Sequence, residues 1–242
     1  DLPDPHRPHW DALSAAPGAA PGHWLGTDAI GRDVLARTLA GGRLSLALGA
    51  FATAIALALG LAWGAAAGYA GGATERLMVR VLDVLSALPF LLIVILLLAL
   101  FGRSPVLLLG AIGAYVWIDL ARVVRSEAAR LREAPFVLAA RAAGARADQV
   151  LRWHLLPNLM PLALVYLGLI LPQAILVESF LGFLGLHEPA ASLGTLLGEG
   201  AQEMDTAPWA LAVPAFFLVA VLAGFQFLGD ALRDWLDVRG TA

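Results

Sequence analysis

The sequence predicts an all-α, polytopic membrane protein, and three observations carry that expectation. First, 60% of the 242 residues are hydrophobic and only 14% are charged, whereas a soluble domain carries about a quarter charged residues. Second, several uncharged runs reach the roughly 20 residues a helix needs to cross the hydrocarbon core, and the mean hydropathy is +0.77. Third, the stretch from Arg122 to Arg152 holds seven arginines between two apolar segments. Basic loops between spans stay in the cytoplasm.

The elements follow in order. Asp1 to Pro21 is rich in Pro, His and Ala and reads as an extended segment. Ile30, Val34, Leu35 and Leu39 then share one helical face, with Arg32, Asp33 and Arg37 off it. That pattern predicts a short amphipathic interfacial helix over Ala29–Ala40, with Asp28 as N-cap and Gly41-Gly42 as its stop. Residues 1–43 therefore form an extracytoplasmic segment, and residues 44–242 a transmembrane domain with a cytoplasmic loop over 125–154. Five spans are expected, at about Leu44–Gly68, Val84–Phe101, Pro105–Val124, Leu155–Val177 and Ala207–Leu228. An amphipathic turn at Thr74–Asp83 leads into the second. Pro89, Pro157, Pro161, Pro172 and Pro214 lie in or near spans, and each removes a helix donor and tends to bend the chain.

Arginine asymmetry sets the orientation. With Arg122–Arg152 inside, the Tyr69–Asp83 loop and the C-terminal tail are also cytoplasmic, and these regions hold eleven arginines against five on the other side. Five spans with an internal C-terminus put Asp1 outside. The chain has no initiator Met and no signal-peptide pattern, so a sixth span upstream of Asp1 is expected.

Composition also excludes chemistries. The chain has no cysteine, which removes disulfides, thiolate metal sites and cysteine nucleophiles. All sixteen basic residues are arginine, and a Walker A phosphate loop needs its lysine. Any nucleotide is hydrolysed by another chain. His6 and His9 form an H-x-x-H pair in a Pro-rich stretch, but a metal site needs more ligands and fixed geometry. His154 and His187 stand apart, so neither a catalytic group nor a metal site is expected. Nothing points to a nucleic-acid partner.

Three groups of residues remain as site candidates. Within the arginine-rich stretch, Phe136–Ala143 reads as a short helix presenting Val137, Leu138, Ala139, Ala140 and Arg141, ended by Gly144 in a left-handed conformation. Asp148–His154 turns back toward the next span, which opens on Leu156-Pro157. This patterned loop looks like a socket for a cytoplasmic partner, with Val137, Leu138 and Ala140 as apolar contacts. Gly60, Gly64 and Gly68 form overlapping GxxxG patterns that let helix backbones approach closely in lipid; they read either as a subunit or gate interface or as packing within the chain. Asp119 and Glu178 are the charges nearest membrane depth, where a carboxylate is costly. They read as pathway lining, as a gate latch, or as interfacial residues.

These residues resemble the inner-membrane permease subunits of bacterial ABC importers, and more narrowly the C-type permease of the dipeptide/oligopeptide/nickel group. Family members carry a loop with Glu-Ala-Ala, three residues, Gly, about nine residues, an apolar residue and Leu-Pro. Here Ala139, Ala140, Gly144, Leu156, Pro157 and Asn158 match at that spacing, and Leu138 stands where the family has Glu. Leu25-Gly-Thr-Asp28 with Gly31-Arg-Asp33, Leu82–Pro89, Glu178–Gly185, Thr206–Trp209 and Leu228–Asp234 resemble further blocks of that group. The resemblance implies the type I importer permease fold with six spans, in a bacterial inner membrane. It implies a second homologous permease, two cytoplasmic ATPase subunits that use ATP and Mg, and an extracytoplasmic binding protein. The solute would be a peptide, a nickel chelate, glutathione or an opine. The competing class is an ion-coupled secondary transporter or channel without ATPases; it would need ionisable clusters at midplane, and none is evident.

Overall fold

In the computed structural model, residues 3–102, 104–186 and 191–240 are described, with side chains for all of these except 105 and 235–240; His187 lies outside the described residues. Among the described residues the chain is helical, with one isolated bridge, Thr27 to Asp33, and no strand. In order come α1 (Val34–Ala70), α2 (Gly72–Ala87), α3 (Phe90–Phe101), α4 (Pro105–Arg132), α5 (Pro135–Ala142), α6 (Ala147–Val150), a π-helical turn (Leu151–Leu155), α7 (Leu156–Phe183), α8 (Leu193–Gln202) and α9 (Pro208–Gly240).

Four helical stretches are long and apolar enough to cross a membrane: Val34–Ala70, Val106–Arg132, Ala147–Phe183 and Pro208–Asp234. The pair α2 and α3, bent by 79° at its break, makes up to five. Pro89 accounts for the bend, since it removes a helix donor and disfavours helical backbone at Leu88, which is extended at ψ 132°. The expected second span, Val84–Phe101, is thus not one straight helix.

The boundaries differ from expectation in a consistent direction: the helices are longer. The separate interfacial helix at Ala29–Ala40 does not exist. Residues 29–30 form a turn, Asp33 bridges back to Thr27, and α1 runs unbroken from Val34 through Gly41-Gly42. Asp33, not Asp28, sits at the N-cap, accepting from the Ala36 amide at 2.6 Å. Gly41 and Gly42 do not stop the helix; their bare backbones admit Leu196 and the Phe217 ring. The polar face is also inverted. Asp33, Arg37 and Thr38 are buried, which is the reverse of a helix floating at an interface. The third span likewise extends to Arg132, and the fourth begins at Ala147 rather than Leu155.

The chain divides into two compact units. One comprises Asp1–Ala50, Leu97–Leu109 and Pro172–Phe225. It holds the folded N-terminal segment with α8 and the start of α9. The other comprises Phe51–Leu96, Gly110–Leu171 and Gln226–Ala242. Its core joins Ala56 and Ala65 of α1, Leu82 of α2, Leu120, Val124 and Leu131 of α4, Val137 of α5, and Val150, Leu155 and Leu159 of the α6–α7 stretch. That core positions the α5–α6 loop.

Candidate functional site

The arginine-rich stretch is a compact helical hairpin end rather than a loose loop. Arg122, Arg125, Arg130 and Arg132 belong to α4 itself. Only Glu133 and Ala134 separate α4 from α5. Pro135 occupies the first position of α5, where its missing N–H costs nothing and its fixed φ suits a helix. The expected helix over Phe136–Ala143 is thus found within one residue at each end.

Gly144 ends α5 as its type predicts. Its φ is +88°. The Gly144 amide donates to the Arg141 carbonyl at 3.0 Å, and the Ala145 amide reaches back to the Ala140 carbonyl at 3.0 Å. Those two bonds are the Schellman motif, which satisfies carbonyls that the helix end would orphan. The four-residue α6 then begins at Ala147, with Arg146 as its N-cap, whose amide donates to Gln149 Oε1 at 2.8 Å.

The faces of α5 divide sharply. Val137 is fully buried in the chain's own core, so the expectation that it contacts a partner is corrected: it anchors α5. Leu138 is 50% exposed and Phe136 41%. Ala139, Arg141 and Gly144 are exposed, and Ala140 is half-buried. The outward surface is therefore apolar at Phe136 and Leu138, small at Ala139, and cationic at Arg141. Phe136, not singled out from sequence, also lies beside the His154 ring, with centroids 6.4 Å apart.

Leu156 and Pro157 open α7, but not as a separate helix, since α6, the π turn and α7 run on as one stretch from Ala147 to Phe183. Leu156 is half-buried against the core and Pro157 is exposed. Pro157 has no N–H for the Trp153 carbonyl. The backbone widens there into the π turn, with the Leu156 amide on the Leu151 carbonyl. The Asn158 side-chain amide donates to the His154 carbonyl at 2.6 Å. Asn158 thus adds a side-chain donor at the carbonyl next to the one the proline leaves without its amide, and the helical stretch runs on from Ala147 to Phe183.

Gly60, Gly64 and Gly68 face α4 of the same chain. A Cβ at Gly60 would lie 2.7 Å from Leu120 Cδ2, and one at Gly64 would lie 2.6 Å from the Ala121 carbonyl oxygen. At Gly68 it would meet the Arg125 carbonyl and Ala128. Of the two readings, packing within the chain is the one found; the subunit-interface reading is corrected because α4 already covers this ridge. Trp63 and Trp117 meet edge to face beside it, centroids 5.6 Å apart.

Asp119 and Glu178 fare differently. The Asp119 side chain is 73% exposed, 3.5 Å from Arg122. Glu178 is fully buried, with the Ser179 hydroxyl donating to it at 3.3 Å, so the pathway-lining expectation for Glu178 is corrected.

Sequence reasoning missed the charge network of the N-terminal segment. Arg37 is 5% exposed and bonds Asp28 at 2.7 Å and Glu199 of α8 at 2.8 Å. Arg32 bonds the same two carboxylates at 2.7 and 3.0 Å. Glu203 accepts from the Ala29 amide at 3.0 Å. His23 Nδ1 lies 2.9 Å from Asp33, and the Trp209 indole donates to the Thr27 carbonyl at 2.8 Å. The blocks Leu25–Asp33 and Thr206–Trp209 are therefore two sides of one junction. His9 stacks edge-on against His23 at 5.0 Å. Among the described residues no group of three or more His, Cys, Asp or Glu is arranged to hold a metal.

Comparison with known proteins settles the family. Residues 60–240 match the sequence model described as "Binding-protein-dependent transport system inner membrane component". The chain belongs to this family. It is a permease component of such a transport system, with the type I importer permease fold. It is similar to the oligopeptide transport system permease protein OppC of Haemophilus influenzae, 47% identical over 232 residues, covering 95% of this chain and 75% of the relative. The OppC of Escherichia coli K12 is 46% identical, covering 95% and 77%. The dipeptide transport system permease protein DppC of Bacillus subtilis is 40% identical, covering 90% and 69%. Among solved structures, a chain of the MetNI methionine ABC transporter in an inward-facing conformation aligns at TM-score 0.66 and 19% identity, covering 81% of this permease and 95% of that chain.

Proposed function

We propose that this permease forms half of the translocation pathway of an ATP-driven importer for short peptides, in a bacterial inner membrane. Its companions are a second homologous permease, two cytoplasmic ATPase subunits that bind ATP and Mg, and an extracytoplasmic binding protein. The permease itself supplies no catalytic group. The names of its relatives, oligopeptide and dipeptide permeases at 40–47% identity, support the solute class.

One observation carries the mechanical part of the reading. Helix α5 is anchored from inside by buried Val137 and ended by the Gly144 turn, yet presents Phe136, Leu138, Ala139 and Arg141 outward. A helix anchored on one face and apolar on the other suits docking into a groove of an ATPase. Two-residue and four-residue connections tie it to α4 and to the α6–α7 stretch. Displacement of α5 by ATPase closure moves both long helices together, which is the differential contact that coupling requires. Residues 1–43 lie on the extracytoplasmic side in this reading, and the C-terminus is cytoplasmic.

Co-purification tests the reading. Tagged permease, expressed with its neighbouring genes and solubilised in mild detergent, should bring two ATPase chains and a second permease. A Cys placed at Leu138 should cross-link to an ATPase. Recovery of the chain alone, active in solute uptake without nucleotide, would refute it.

A further inference from the structure

We infer that one side of α4, the stripe Tyr115, Asp119, Arg122 and Ser126, together with Asp83 and Ser86 of α2, is the water-facing wall of the solute pathway near its inner end, where its mixed charges meet the ammonium and carboxylate ends of a zwitterionic solute. The inference deepens the importer reading and rests on it.

Spacing gives the first argument. Positions 115, 119, 122 and 126 recur at i, i+4, i+7 and i+11, which places them on one helical face. The opposite face, Val116, Leu120, Val124 and Ala128, is buried and packs on the Gly60–Gly68 ridge of α1. The polar stripe is thus turned away from that core, with the Tyr115 ring stacked on Phe90 of α3 at its N-terminal end. Side chains along it are accessible: 73% at Asp119, 57% at Asp83 and 37% at Arg122.

Depth gives the second. α3 has 12 residues and spans about 18 Å, well short of the roughly 30 Å hydrocarbon core. The polar residues Asp83 and Ser86 precede it across the bend. On α4, Asp119 lies about 21 Å and Arg122 about 25 Å from the first residue, Pro105, at 1.5 Å per residue. With the short α3–α4 connection at the outer boundary, both routes put the cluster inside the hydrocarbon thickness, toward the cytoplasmic end. A carboxylate cannot face lipid there without large cost, and Asp is too short to snorkel. It does not face its own core. A water-filled pathway satisfies both conditions.

Geometry gives the third. Arg122 Nη2 donates to Ser86 Oγ at 2.7 Å, and its contacts to Asp83 and Asp119 are long, 3.3 and 3.5 Å. Such contacts sit at or beyond the edge of good hydrogen-bond length. The carboxylate oxygens therefore keep acceptor capacity for an incoming ammonium, and the guanidinium keeps donors for an incoming carboxylate.

The absence of native cysteine makes the test direct. In the complete importer reconstituted in liposomes, single Cys residues are placed at Asp119 and Ser126, and at buried Val124 as control. A bulky, water-soluble maleimide should label the stripe positions at least tenfold faster than Val124→Cys, and labelling should lower ATP-driven import at least tenfold. Unreactive stripe positions in an importer that still transports would overturn the water-facing assignment. Rapid labelling that leaves import intact would overturn the pathway assignment. Absence of ATP-driven import by the unlabelled complex carrying the native permease would instead strike the importer reading beneath both. For the charge, Asp83→Asn with Asp119→Asn should reduce the maximal import of a lysine tripeptide relative to a glutamate tripeptide at least threefold, with the binding protein saturated by each. An unchanged ratio overturns the ionic role.

Discussion

Replacing Gly144 separates the work of α5 from the stability of the fold. A Cβ at this position meets nothing within 4 Å, so added bulk costs nothing inside the chain. The whole penalty comes from φ +88°. An L-residue held in the left-handed region pays about 1–2 kcal/mol. Asn pays least, Ala more, and Val most because its branched Cβ crowds the backbone. An eight-residue helix has no independent stability to resist this. The strain is relieved by unwinding the last turn and breaking the Ala145–Ala140 and Gly144–Arg141 bonds. If the ordered end is what the ATPase grips, 1–2 kcal/mol weakens docking by roughly 5–30-fold. The thermal midpoint of the solubilised permease should fall by no more than about 8 °C, the ceiling for 2 kcal/mol in a chain of this size. ATPase affinity measured on permease complexes in nanodiscs should follow Gly > Asn > Ala > Val, with insertion unchanged. Wild-type affinity and solute-stimulated hydrolysis in Gly144→Val would refute the coupling role of this turn.

Four other outcomes follow from the same geometry. Leu138→Glu, at a half-exposed position, should shift stability within about 0.5 kcal/mol and weaken docking less than Gly144→Val, because it places the family's residue there; pull-down yield reads this. Gly64→Ala would set a Cβ 2.6 Å from the Ala121 carbonyl oxygen, forcing α1 from α4 at about 1–3 kcal/mol, seen as a lower thermal midpoint. Arg37→Met should cost about 3 kcal/mol, the low end for breaking a buried pair, since Arg32 stays on the same carboxylates; limited proteolysis should then cut residues 3–33. A Cys at Ala19 should label with an impermeant reagent in intact spheroplasts, and labelling only after lysis would reverse the topology.

What the sequence made legible was whatever rests on local chemistry. Hydropathy and length marked four spans and the bent second one. Glycine marked the end of α5 to within a residue, because the left-handed Gly144 acts on its own backbone; Pro135, which opens the helix, carried an equally local signal that went unread. What it hid depends on distant partners. Arg37 and Asp33 read as the wet face of an interfacial helix, but their partners Glu199 and His23 lie elsewhere in the sequence and make that face the buried one. Val137 looked like a docking residue because apolarity alone does not say which core a side chain joins. Gly41-Gly42 looked like a stop because a glycine that admits a neighbour and one that ends a helix are the same letters. Pro157 looked like a boundary, since the π turn and the Asn158 bond that carry the helix past it have no simple sequence signal.

The most direct test of the account is uptake by the reconstituted system. Permease pair, ATPases and binding protein are placed in ion-tight vesicles with labelled peptide on the binding-protein side and ATP on the ATPase side. The account predicts accumulation that requires ATP and the binding protein and is unaffected when the proton gradient is collapsed. Accumulation driven by a pH gradient with no nucleotide present would contradict it.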